Sequence, residues 1–136
     1  MTSERMFQIR SATMGGAGLI CVLYAGLALL TGHPDPLPIW ITGAAGLFAA
    51  AVIWIAALTA GRDVAEQSFD EGYRSDAQVA QRIGFWVAVW LYPMFGALLW
   101  AGWVTWPVAF ASMGCLTAAS YLLSATWLDM QGRGAC

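Results

Sequence analysis

Four stretches of this chain, Ala12–Thr31, Ile39–Ala60, Gly84–Val104 and Val108–Leu128, contain no Asp, Glu, Lys, Arg or His. The hydrocarbon core of a bilayer takes about 20 predominantly apolar residues per helix, and a backbone inside it must satisfy its own N–H and C=O groups. Stretches of this length predict four transmembrane α-helices. Composition points the same way: 60% of the residues are apolar and 10% charged, against roughly 45–50% and 25% in soluble domains. Punctuation falls where helices need it, with Gly32 after the first stretch, Pro38 before the second, Gly61 after it and Pro107 opening the fourth.

Loops rich in Lys and Arg stay on the cytoplasmic side. Lys is absent here, so arginine alone decides. Arg5 and Arg10 precede span one, Arg62, Arg74 and Arg82 lie between spans two and three, and Arg133 follows span four. The opposite turns, Gly32–Pro38 and Thr105–Pro107, have none. The expected fold is therefore an all-α integral membrane four-helix bundle of two helical hairpins. Both termini and the 61–83 loop face the cytoplasm, as for a multi-pass protein of a bacterial inner membrane. Trp40, Trp103 and Trp106 then mark the outer interface, and Trp86 and Trp127 the inner one. Gly26-x5-Gly32-x5-Pro38 parallels Gly96-x5-Gly102-x4-Pro107, which reads either as a duplicated hairpin or as turn chemistry used twice.

Several function classes lose support. A net charge of −2 gives no basis for nucleic-acid binding. Cys21, Cys115 and Cys136 form no CxxC and pair with no histidine, so neither a zinc site nor a redox motif is expected, and Cys21 and Cys115 read as small packing residues. His33, the sole histidine, lies in an outer turn beside Pro34, which leaves no bis-histidine haem within the bundle. Intramembrane charges mark proton relays and transport paths, and the spans hold none. The glutamate on which small multidrug antiporters rely in their first span has no counterpart in Ala12–Thr31. No nucleophile–base pair, phosphate loop or metal cluster is seen, so no enzyme and no cofactor are expected.

Most of the charge lies in residues 61–83. Asp63, Glu66 and Asp70 are spaced for one helical face and Asp70 precedes Arg74 by four. That set is either a docking patch for a cytoplasmic partner or cation, or a solvated face with a supporting ion pair. Ser75-x-x-Gln78 fits a capping box and predicts a helix start near Asp76. The run Asp70-Glu71-Gly72-Tyr73-Arg74-Ser75-Asp76-Ala77, leading through Arg82 into an aromatic span, resembles an Asp-Glu-rich segment of small, uncharacterised bacterial four-helix inner-membrane proteins. Those usually carry Arg directly after the acidic pair, where Gly72 stands here. The resemblance implies topology and an inner-membrane setting and carries no mechanism.

Within the spans, packing chemistry remains. Ala17, Cys21 and Ala25, and likewise Thr42, Gly46 and Ala50, form smooth stripes for close helix approach, toward a neighbouring span or a second copy. Thr117, Ser120, Tyr121 and Ser124 make one polar stripe, either interhelical glue or a polar path. Trp86, Trp90 and Trp100 share an aromatic face of span three around Pro93, which should kink it; such a face packs, or binds a lipid tail, quinone or pigment. The reading that follows is a non-enzymatic protein acting by helix–helix association, as a homo-oligomer or an accessory subunit of a larger membrane complex, with the bilayer as its other partner. The alternative is a small transporter or channel using the polar stripe of span four.

Overall fold

The computed structural model describes residues 3–38, 40–60 and 71–131. These hold four α-helices: α1 (Ser3–Thr31), α2 (Trp40–Ala60), α3 (Glu71–Trp100) and α4 (Trp106–Gln131). Each is long and apolar enough to cross a membrane, which supports a multi-pass membrane protein. Two helices overrun their predicted spans. α1 and α3 have 29 and 30 residues, and at about 1.5 Å per residue they exceed a hydrocarbon core of ~30 Å. α3 begins at Glu71, so Ser75 lies inside the helix and the expected capping box at Ser75–Gln78 is not one. A backbone already hydrogen-bonded through Glu71–Arg74 leaves that serine no free amides to cap.

Both turns with glycine at their head use the left-handed conformation that residues with a Cβ avoid. Gly32 (φ 68°) ends α1 and its N–H donates to the Ala28 carbonyl at 3.0 Å. Gly102 (φ 73°) ends α3 in a Schellman motif, with Gly102 N–H donating to Leu99 O and Trp103 N–H to Leu98 O. α3 runs unbroken through Pro93, which faces outward.

The helices lie in the order α2, α1, α4, α3: α1 packs most closely on α4, α4 on α3, and α1 on α2. One apolar cluster joins Met14, Ala80 and Ala125 with Ile53, Tyr121 and Leu122, so every helix reaches it. A second cluster, Leu91, Phe95 and Ala109 with Met113 and Leu116, locks α3 to α4 alone.

Candidate functional site

The seam between α1 and α4 is the best-built part of the molecule. On α1, Arg10, Met14, Ala17, Cys21, Tyr24 and Ala28 are spaced alternately four and three apart and all are buried. On α4, Val108, Ser112, Cys115, Ala119, Leu122, Thr126 and Asp129 follow the same rhythm. Such spacing keeps one narrow stripe of each helix turned toward its partner. Small side chains let the backbones close in. A Cβ on Gly15 would touch Thr126 at 3.4 Å, and one on Gly18 would stand 3.0 Å from Leu123 and 3.3 Å from Leu122.

At one end of the seam Arg10 and Asp129 form a two-pronged ion pair, with Nε donating to Oδ2 at 3.1 Å and Nη2 to Oδ1. The pair is shielded, with side-chain exposures of 5% and 12%. Ser11 Oγ donates to the same carboxylate at 3.2 Å, and the guanidinium carbon lies 5.7 Å from the centre of the Phe7 ring. The paired fork geometry is the strong form of an arginine–carboxylate contact. Sequence reasoning counted Arg10 as a topology signal and missed this partnership. The signal was present, because extending each four–three stripe by one step lands on Arg10 and Asp129.

Further along, Cys21 of α1, buried, and Cys115 of α4, half-buried, lie near one another across the seam. Ser112 is fully buried and its hydroxyl has no partner among the described residues. Tyr24, 2% exposed, donates its OH to the Pro34 carbonyl at 3.0 Å and so straps the 32–38 turn against α1. Reading the two cysteines as separate packing residues overlooked their juxtaposition, which only the helix order reveals.

The other predicted site residues are distributed elsewhere. Asp63, Glu66 and Asp70 lie outside the described residues; Arg74 is exposed on the first turns of α3. On α4, Ser120 donates to its own helix at Thr117 O, 2.8 Å away, and Ser120 and Tyr121 pack against Gly84 of α3. Thr117 lines a groove of about 660 Å³ between α3 and α4, walled by Tyr92, Trp106 and Phe110, while Ser124 is half-buried. The stripe is thus split between a helix crossing and a groove. Trp86 and Trp90 line a second groove of about 510 Å³ along α3, with Arg82 at its charged end, but Trp100 does not join them. Of the small-residue stripes, Ala17, Cys21 and Ala25 are all buried, whereas on α2 the buried positions are Ala49 and Ala56, and Gly46 and Ala50 are exposed.

No protein-family model, curated protein or solved structure matches this chain.

Proposed function

We propose that this is a non-enzymatic multi-pass protein of a bacterial inner membrane that acts by helix–helix association, with α2 as its docking helix. The observation that carries this reading is the one-sided support of α2. It packs on α1 through Ala49 and Ala56, and turns Gly46, Leu47, Ala50 and Trp54 outward. Small residues beside large ones on an exposed membrane helix suit a second helix better than lipid, because they let backbones approach and gain dispersion contact. A second copy is the simplest occupant, giving a homo-oligomer; a different membrane subunit would use the same face. The two helical hairpins are oriented with Arg5, Arg74 and Arg82 in the cytoplasm. A photo-cross-linking residue at position 46, in native membranes, should yield a cross-linked dimer or a larger product. The same residue at the packed position 49 should yield none. Only uncross-linked monomer from position 46 overturns the reading.

A further inference from the structure

Along α3, Arg82, Trp86, Trp90 and Met94 follow one another at every fourth position. Residues so spaced stand one above the other on a helix, so a guanidinium heads an apolar lane. All four are exposed and line the groove of about 510 Å³, with Val87 and Leu91 forming its deeper wall. Arg82 is also the last charge on the helix. Residues 83–100 carry none and extend about 27 Å, close to the ~30 Å of a hydrocarbon core. The guanidinium therefore stands at the edge of the bilayer, at the level of lipid phosphates. From Arg82 to Met94 the axis runs about 18 Å, which covers the hydrocarbon depth of one leaflet, about half of that ~30 Å.

No carboxylate answers Arg82 among the described residues. Asp76, the nearest acidic residue along α3, is six positions away and so on another side of the helix. A second copy seated on this groove by a two-fold axis along the membrane normal would bring two Arg82 side chains to the same depth, like charge toward like. A soluble phosphate would answer the guanidinium and leave the lane bare. We propose that the groove binds an anionic phospholipid, with its phosphate on the Arg82 fork and one acyl chain along Trp86, Trp90 and Met94. A net charge of −2 gives the chain no diffuse attraction for anionic lipid, so a preference for it has to arise locally. Such a site requires α3 to cross a bilayer and is independent of what docks on α2.

Native mass spectrometry of the full chain in mild detergent, titrated with phosphatidylglycerol or with phosphatidylcholine of the same acyl chains, tests the site. One phosphatidylglycerol per chain is expected, held about 5-fold more tightly than phosphatidylcholine, the effect of a single arginine beside anionic lipid. Arg82→Ala should erase that preference, Arg82→Lys should keep part of it, and Arg74→Ala should leave it unchanged, all with unaltered helicity by circular dichroism. Equal affinity for the two lipids overturns the proposal. So does a preference that survives Arg82→Ala or falls equally in Arg74→Ala, and so does displacement of the lipid by millimolar glycerol phosphate, which would assign the site to a soluble phosphate. If Arg82→Ala loses helicity, a photo-cross-linking residue at position 90, in vesicles holding equal amounts of both lipids, decides instead. Adducts mainly of phosphatidylglycerol are expected there; equal adducts of both lipids, or a protein–protein product, refute the site.

Discussion

Against α4, α1 is packed so tightly that a Cβ on Gly18 would stand 3.0 Å from Leu123. Toward α2 it is packed loosely: a Cβ on Gly16 would meet nothing within 4 Å, and a gap of about 490 Å³ lined by Gly16, Ala17, Ile20, Ala45 and Phe48 remains between the two helices. Both faces are rich in Gly and Ala, so composition does not separate them. What separates them is whether the facing stripe ends in a complementary charge. Ala45, Ala49, Val52 and Ala56 of α2 keep the same four–three rhythm, whereas the α1–α4 seam adds the Arg10–Asp129 ion pair. Small residues permit close approach; they do not compel it.

The sharpest way to break this contrast is at Asp129. Asp129→Leu removes the carboxylate from a buried arginine and should cost about 3–5 kcal/mol of stability, measured by reversible unfolding in mixed detergent micelles. Arg10→Met combined with Asp129→Leu should restore most of the loss, because it removes the buried charge together with its carboxylate; equal loss in single and double variants would show the seam to be held by something else. Next, Gly18→Leu should cost about 1–3 kcal/mol by overpacking, while Gly16→Leu should stay within about 0.5 kcal/mol. If both glycines respond alike, the two faces are equivalent after all. Tyr24→Phe removes one hydrogen bond to Pro34 and should cost about 1 kcal/mol, with faster proteolysis of the 32–38 turn as its local readout. Smallest of all, Gly46→Leu should leave stability within about 0.5 kcal/mol yet reduce the dimer recovered by cross-linking.

Hydropathy made the four helices legible because a lipid-facing segment must be apolar throughout, and Gly32 was legible because a left-handed cap nearly demands glycine. Helix ends in the polar region were not. α1 from Ser3 and α3 from Glu71 continue on backbone hydrogen bonds that no hydropathy window senses, so the box at Ser75–Gln78 was read as a start where the helix was already under way. Partner choice was hidden for a different reason. Ala17, Cys21 and Ala25 on α1 and Thr42, Gly46 and Ala50 on α2 carry the same spacing, and only the helix order decides that the first set is covered while Gly46 and Ala50 are exposed. The Arg10–Asp129 pair is likewise a property of that order, joining positions that local sequence leaves unrelated.

The ion pair at the end of the seam also sets a timetable. Asp129 is synthesised 119 residues after Arg10, and at roughly 5–20 residues per second the arginine waits on the order of ten seconds for its carboxylate. Throughout that interval α1 has α2 beside it, but not the helix that covers its best-fitted face. The seam therefore closes only after α4 has been made. A ribosome stalled before residue 129 would leave a protein with its apolar segments made but its best-fitted seam still lacking the Asp129 carboxylate, a ready mark for the quality-control machinery that separates finished membrane proteins from unfinished ones.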